Sequence, residues 1–491
     1  MQNISEKSNQ CELEKLHLSG ASQSWGALIY IDSTTWLVTH ASENLTHYIA
    51  CDFKEFIGSP ISQWCDFSEM IRKVPDADGA YSTRFNQTVG FTQAVDLRII
   101  AGIHCVIIEI EPHVTNEEVI AITPLQRQLL IVPGTESGLL MQHKLLLEAL
   151  YNIIQFDRLM IYRFHDDWSG EVLAEHTRDE HGSYLHLRFP AADIPAIARN
   201  LYLINPCRYI PDAAQSAINI ASLDSSTPDL TYSDLRSVSP VHLQYLANMG
   251  VGASFSVPIK IAGKLWGLVA CHNHSPKTIS LASRDACVAL TSTYSLCLSS
   301  YSSTRRMEML DRIDHRIEEV LENITIQINP LDALQNESAT LLKLMQADGL
   351  AMIINDEVVL IGDTLQMNDV AVFDTWFMAI DSKMYSTFNL SKEFYGKLIH
   401  ASGVCGAVAL KVCSARSGWI RLYWFRKEEL FEIAWAGNPN KPATENTAVA
   451  ALSPRRSFEK WIEVRNGYSR QWSVEDLAIA SKFSSALLRW L

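Results

Sequence analysis

Apolar and polar residues trade places in short runs along most of the chain, and the period of each run predicts its element. Residues 26–32, 97–101 and 105–111 are rich in isoleucine, leucine and valine and are bounded by polar or glycine positions, which predicts strands. A short helix fits 42–48. From about 124 to 152 the spacing is helical and predicts one helix. Strand-like runs follow at 158–164 and 171–175. Short helices near 193–204 and 239–248 flank a loop-rich stretch, and strands return at 253–259 and 265–270. This is the pattern of a mixed antiparallel sheet with helices on it.

A long helical signal then runs from about 280 to 326, with Leu310, Ile313, Ile317, Val320 and Ile324 spaced by three and four. That seam fits a parallel dimer interface and fits equally an apolar face packed on its own domain. Pro330 ends it. Strands at 350–354 and 358–362 open a third portion. Its last helix begins at a capping signal, Ser473 with Asp476, and carries Leu477, Ala480, Phe483, Leu487, Leu488 and Leu491. Between 431 and 458 a polar stretch separates two β-like arms, which predicts a long hairpin. The fold class is α+β, with three domains, each an antiparallel sheet with helices, joined by long helices.

Composition narrows the function. A chain of 491 residues has room for about three domains. With 47% hydrophobic and 20% charged residues it reads as globular and soluble. A net charge of −14 without a dense basic run argues against a nucleic-acid partner. The N-terminus lacks a signal peptide's apolar stretch, and no apolar run is long enough to span a membrane, so a cytoplasmic location is expected. Ten cysteines are scattered without a CxxC or zinc pattern, so most are expected to be buried thiols. Cys11 differs, because Gln10, Glu12 and Glu14 around it are polar.

Several strings in order carry a resemblance. Cys11 precedes a run in which His17, Gly20, Gln23 and Gly26 stand at fixed spacing. Residues 156–164, 190–195, 235–242 and 265–272 follow. With these motifs the chain resembles a bacteriophytochrome photosensory module with PAS, GAF and PHY domains, expected at 1–120, 121–302 and 303–491. The PHY tongue hairpin is expected at about 431–462. Ser19 stands where the family has proline, Trp25 and Asn273 where it has histidine, Ala192 where it has serine and Ala436 where it has glycine. Val241 stands where plant and many cyanobacterial members carry a cysteine, and with Cys11 present the chain resembles the biliverdin-binding group.

The resemblance implies roles. Cys11 would form a thioether to biliverdin, and a thiolate is the better nucleophile for it. Asp193 read alone is a helix N-cap; in the family its carbonyl faces the pyrrole N–H groups and its carboxylate meets Arg455, with Ser457 and Trp435 in the same tongue. Ile194 lies beside it. His242 and His272, ordinary core or surface histidines on their own, would line the bilin, where imidazole can both donate and accept. Arg208 and Arg236 match arginines near one propionate, and a guanidinium suits a carboxylate. Ser254 and Ser256 match contacts to the other. Tyr162, Tyr202 and Tyr245 match the pocket of ring D.

The implied function is a red/far-red photoreceptor. Isomerisation at C15=C16 would disturb the Asp193–Arg455 pair, turn the tongue from hairpin to helix and drive the helical spine. The expected partners are biliverdin, a second copy of the chain in a homodimer, and a C-terminal output domain, a histidine kinase or diguanylate cyclase, which this sequence lacks. The family also threads its N-terminal segment as a knot under a GAF loop, here supplied by 208–240. Two other readings compete. One is a GAF-type small-ligand sensor for a cyclic nucleotide or haem; the missing phosphate cradle and Cys11 argue against it. The other is an enzyme. No Ser/His/Asp order, Walker motif, kinase set or cyclase motif is present, so no turnover is expected beyond attachment of the chain's own cofactor.

Overall fold

A computed structural model describes residues 14–63, 71, 74, 77–114, 121–178, 182–325, 329–355, 357–394, 403–414, 418–439 and 458–490. The chain divides into two compact units, Met1–Tyr301 with Ala434–Trp461, and Ser302–Ile433 with Ile462–Leu491.

The first unit begins with β1 (Ala21–Ser22), β2 (Ala27–Asp32), β3 (Val38–Ser42), β4 (Tyr81–Gln87), β5 (Val95–Gly102) and β6 (Cys105–Pro112). Helices α1 (Ile122–Leu129) and α2 (Glu136–Ile154) follow. This corrects the single helix expected over 124–152. Pro133 disfavours helix at Val132, Gly134 follows, and the Thr135 hydroxyl restarts the helix by accepting from the Gly138 N–H at 3.1 Å. Then come β7 (Arg158–Phe164), β8 (Gly170–Thr177), β9 (Arg188–Phe189), α3 (Ala196–Ile204), β10 (Arg208–Ile210), β11 (Ile218–Ser222), α4 (Pro240–Asn248), β12 (Ala253–Ile261), β13 (Lys264–Asn273) and α5 (Leu281–Thr325).

Two sheets result. The first has the order β1-β11-β3-β2-β6-β5-β4. Its inner face buries Ile29, Leu97, Ile99, Ile108 and Ile110. Its outer face carries Leu28 and Ile107 beneath Leu230 and Leu235. The stretch expected to be a loop at 208–240 therefore contributes β11, which lies between β1 and β3. The second sheet runs β10-β12-β13-β7-β8-β9. One face of it packs Leu159, Phe255, Val257 and Cys271 with Leu146 and Leu150 of α2 and Leu290 and Tyr294 of α5.

The second unit holds α6 (Pro330–Asn336), α7 (Ser338–Met345), β14 (Gly349–Ile354), β15 (Glu357–Gly362), α8 (Met367–Ala379), β16 (Met384–Thr387), β17 (Val404–Ser414) and β18 (Gly418–Lys427). The hairpin arms are β19 (Phe431–Ala436) and β20 (Lys460–Arg465), of which Ala434–Ala436 and Lys460–Trp461 count with the first unit, and α9 is Val474–Trp490. The sheet order is β15-β14-β18-β17-β16. Ile313, Ile317, Val320 and Ile324 of α5 are buried against Leu341, Met352, Leu422 and Phe483, so the apolar seam packs within its own unit. The capping box is made as the sequence indicates: Ser473 N–H donates to Asp476 Oδ2 at 2.8 Å, and Asp476 N–H to Ser473 Oγ at 3.1 Å. Leu487 is buried, Leu488 is exposed, and Leu491 lies outside the described residues. No helix among the described residues is long and apolar enough to cross a membrane.

Candidate functional site

Strand register assembles the site. Antiparallel pairing sets Arg208, Ser256, Ala270 and Met160 in one cross-strand row. Ile210, Ser254, His272 and Arg158 form the row beside it. The intervening residues Tyr209, Phe255, Cys271 and Leu159 point into the core under α2 and α5. The period-two rule therefore turns Arg208, Ser254, Ser256 and His272 to the opposite face. Helix α3 packs against β12 and β13. Its sequence is largely apolar, yet none of its side chains is fully buried. From it Tyr202 and Ser256 share a hydroxyl–hydroxyl bond of 2.7 Å.

Helix α4 supplies His242 and Tyr245, with rings stacked at 6.0 Å. The Tyr245 hydroxyl donates to Asp193 Oδ2 at 2.9 Å. Asp193 closes a short 3-10 turn, Ala191–Asp193, and Pro195 takes the N-cap position of α3. The carboxylate is thus not a helix cap; it faces α4. The Ile194 carbonyl accepts from Arg199 at 2.6 Å. Ile194 and Tyr202 pack on a cluster containing Tyr162, Phe189, Ala436 and Phe458. Tyr245 belongs to a neighbouring cluster around Leu246 and Val251 and meets the edge of Phe458 at 5.3 Å. Gly170 is required beneath Tyr162: a Cβ there would fall 1.7 Å from the tyrosine ring.

Arg236 is buried and Arg208 is half-buried. Arg208 donates to the carbonyls of Asp234 (3.1 Å), Arg236 (2.7 Å) and Ser237 (3.1 Å). Arg236 donates to those of Leu230 (3.2 Å) and Thr231 (3.1 Å). Neither has an ion-pair partner among the described residues. Burial, then the neighbouring Arg208 charge, pushes Arg236 down to about 9. Burial, then Arg208, lowers His242 to about 4. Burial, then Arg158, lowers His272 to about 3, so both imidazoles are neutral at physiological pH. The His272 Nδ1 is sealed from solvent and has no hydrogen-bond partner among the described residues.

The positions that depart from the family pattern have local work. Asn273 accepts from Asp157 N–H at 3.2 Å and donates to the Ser275 carbonyl at 2.9 Å, which ties off the end of β13. Trp25 meets Tyr209 edge-on at 5.2 Å. Ala436 is buried in an extended strand, where any L residue fits; the turn that needs positive φ falls on Gly437, at 87°. Trp435 pairs in parallel with Arg188, and Gly437 N–H donates to the Glu459 carbonyl at 2.8 Å. Gln23 donates to the carbonyls of Tyr209 and Asp234, both at 3.0 Å, so the N-terminal motif runs against the 208–240 stretch. Cys11, Arg455 and Ser457 lie outside the described residues, and with them the thioether and the Asp193–Arg455 pair.

Sequence reading missed a buried ionic group on the outer face of the first sheet. Arg98 of β5 pairs with Asp234, and with Asp285 at 3.0 Å. Arg284 pairs with Glu111 at 2.5 Å. Glu109 Oε1 accepts from Ser233 Oγ at 2.6 Å and from Leu235 N–H at 3.0 Å. The available signal was the alternation of charged residues with isoleucine and leucine in both central strands.

One buried and one half-buried guanidinium without an ion-pair partner among the described residues, two strand hydroxyls and one sealed imidazole nitrogen make a donor set suited to a flat ligand with two carboxylates and a carbonyl end. A linear tetrapyrrole with two propionates fits it.

Comparison with known proteins agrees. Family models match in order: the PAS fold at 11–113, the GAF domain at 144–296 and the phytochrome region at 314–491. A bacteriophytochrome of Pseudomonas aeruginosa is 32% identical over 97% of this chain and 66% of its own length. Cyanobacterial phytochrome B of Nostoc is 28% identical over 98% of this chain and 66% of its own. The chain thus spans just under two thirds of these relatives. The crystal structure of a bacteriophytochrome from R. palustris superposes with a TM-score of 0.82 at 25% identity, covering 98% of this chain and 99% of that one. The Stigmatella aurantiaca phytochrome photosensory core module gives 0.81 at 26% identity, covering 98% and 97%. The chain therefore belongs to the phytochrome family, as a PAS–GAF–PHY photosensory module of the bacteriophytochrome kind.

Proposed function

We propose that this module senses red and far-red light through biliverdin held on the Arg208–Ser256–Ser254–His272 face. The observation that carries this reading is the cross-strand register that turns those four residues to one side of the sheet under α3. Cys11 forms the thioether. Arg208 and Arg236 take one propionate, and Ser254 and Ser256 the other. His272 donates to a carbonyl end, and His242 with the Asp193 carbonyl faces the pyrrole nitrogens. Tyr162, Tyr202 and Tyr245 exclude water around that end. When bound, biliverdin supplies the light absorption and the isomerisation at C15=C16. Asp193, held by Tyr245, is the contact through which Arg455, Ser457 and Trp435 in the tongue register the change, and the tongue is a two-state element.

We assign 1–120, 121–302 and 303–491 to the three domains. In the whole protein the module works in the cytoplasm as a homodimer and controls a C-terminal output domain, a histidine kinase or diguanylate cyclase. The exposed apolar residues Leu130 and Ile131, just past α1, Leu140 and Met141 on α2 and Leu296 on α5 support self-association. The test is an absorption spectrum of the protein mixed with biliverdin, before and after red light, for wild type and Cys11→Ala. Reversible conversion, with covalent attachment lost in the variant, supports the reading. Absence of conversion in loaded wild type sinks it, and absence of binding leaves a GAF-type ligand sensor.

A further inference from the structure

The 230–237 segment has two sides. One presents Arg236 and supplies the carbonyls that orient Arg208. The other is pinned by the PAS sheet: Arg98 grips Asp234, and Glu109 takes the Ser233 hydroxyl and the Leu235 N–H. Ser233, Asp234, Leu235 and Arg236 are all buried, so bulk water does not compete for these bonds. The strands of the PAS sheet, which lie outside the proposed ligand contacts, thereby set the position of the arginines.

The charges around Glu109 make this contact responsive. Arg98 lies directly across from it on β5, and Glu111 lies two residues along β6. Its β2 neighbour is the apolar Leu28. The loop adds Asp234 and Arg236, α5 adds Arg284 and Asp285, and the run into β10 adds Arg208 beside the Cys207 thiol. Burial raises that thiol far above neutral, so it carries no charge. Four guanidiniums thus share the region with Asp234, Asp285, Glu111 and Glu109, and Asp96, across from Glu111 on β5, lies beside them paired with His113 at 2.7 Å. Protonating Glu109 makes the region more positive by one charge for an incoming carboxylate. Burial, then the Asp234 carboxylate, pushes the Glu109 carboxyl up to about 7 against the Arg98 charge.

We propose that Glu109 is a proton-linked positioning residue: the PAS strand holds the arginine-bearing loop through this carboxyl, and a carboxylate ligand seated between Arg208 and Arg236 binds together with a proton on Glu109. The ligand half rests on the biliverdin reading; the protonation half does not. Linkage fixes the sign, since a ligand whose negative charge favours protonated Glu109 binds more weakly as pH rises through the carboxyl's titration. The imidazoles of His242 and His272 stay neutral across that range.

The test uses the full chain with Cys11→Ala, so that no thioether accumulates, with and without E109Q. Glutamine keeps an acceptor for Leu235 N–H and cannot ionise. Biliverdin affinity is expected to fall about tenfold between pH 6 and 8 with Glu109, and less than about twofold with E109Q. Without ligand, infrared difference spectra are expected to show a protonated-carboxyl stretch that titrates near neutral pH and is missing in E109Q. Ser233→Ala removes a bond that favours the ionised form and should move both midpoints to higher pH. Matching pH profiles in the two proteins, or an apoprotein without the titrating band, would overturn the proposal. Failure of wild type to bind biliverdin at any pH would defeat the ligand half and the biliverdin reading together; the ligand-free spectra tell the two failures apart.

Discussion

The Tyr245 hydroxyl donates to the Asp193 carboxylate over 2.9 Å, joining α4 to the turn that precedes α3. The edge of Phe458, from the returning arm of the tongue, rests on the same tyrosine ring. One residue thus touches both the acid that the tongue is proposed to read and the tongue itself. Tyr245→Phe removes the hydroxyl and keeps the ring. The lost bond is worth about 1 kcal/mol, too little to unfold the domain. Biliverdin should still bind, while the yield and lifetime of the light-generated state change. Unaltered photoconversion kinetics would show that this hydroxyl has no part in switching.

Self-association should depend on the apolar surface of the GAF helices. Met141 is 65% and Leu296 66% exposed. A single exposed leucine is unremarkable, but several on adjoining helices form a patch that water disfavours. Met141→Glu with Leu296→Glu should shift sedimentation toward monomer and leave the melting temperature and biliverdin spectrum in place. A dimer that survives both charges would move the interface elsewhere.

Acid should destabilise the apoprotein before most carboxylates are protonated. Burial holds His143 and His242 down at about 4 and His272 at about 3. In the unfolded chain these imidazoles take protons near pH 6.5. Between about pH 6.5 and 4 the unfolded state therefore binds more protons, and stability falls as pH falls. His143 shares a 2.9 Å bond with the buried Tyr294 hydroxyl. His143→Gln should flatten this limb in urea titrations at pH 7 and 5. A variant with the wild-type slope would show that His143 is not neutral in the fold.

Part of the pocket face was legible in the sequence. Ser254 and Ser256 share one face of the predicted strand 253–259; Arg208 and His272 fall outside the predicted strands, and pairing of β10 and β13 with β12 brings them to the same side. The seam of Ile313, Ile317, Val320 and Ile324 was not decidable, because a dimer and an internal core ask the same spacing of a helix; contact with Phe483 and Leu422 decides it. Strand β11 was missed because its partners lie some 180 residues away, and local pattern carries no such information. Arg98 and Glu109 were missed for a different reason. Charges alternating with apolar residues predict a wet sheet face, and here the 230–236 loop and the start of α5 cover it. The break at Pro133 and Gly134, by contrast, was readable.

In the PHY unit, Arg426 on β18 fixes the start of α9. It donates to Asp476 Oδ2 at 3.0 Å and to the Met345 carbonyl at 2.8 Å, and its guanidinium lies 3.7 Å from the Trp472 ring. Both charged side chains are buried. Arg426→Met leaves the Asp476 carboxylate without its cation and should cost about 3–5 kcal/mol. Adding Asp476→Asn, which can still accept from Ser473 N–H, should restore part of that loss. A double variant no more stable than the single one would mean that the guanidinium acts through its carbonyl bonds and its packing on Trp472 rather than through Asp476.

Arg236 offers a sharper test, because two of its effects have opposite signs. In the free protein its guanidinium is buried beside Arg208 and bonded to two carbonyls, with no carboxylate partner among the described residues. Those carbonyls do not depend on it. Leu230 O also accepts from Ser233 N–H at 3.1 Å, and Thr231 O from Asn205 Nδ2 at 2.8 Å. Methionine fills a similar length without a charge to desolvate. Arg236→Met should therefore leave the apoprotein as stable as wild type or more so. A propionate would lose a charge-assisted bond worth about 1.5–3 kcal/mol, so biliverdin affinity should drop roughly ten- to hundredfold. Thermal unfolding of the apoprotein and titration with biliverdin separate the two effects. A variant that melts lower and binds as tightly as before would make Arg236 a structural bolt and remove it from the ligand site.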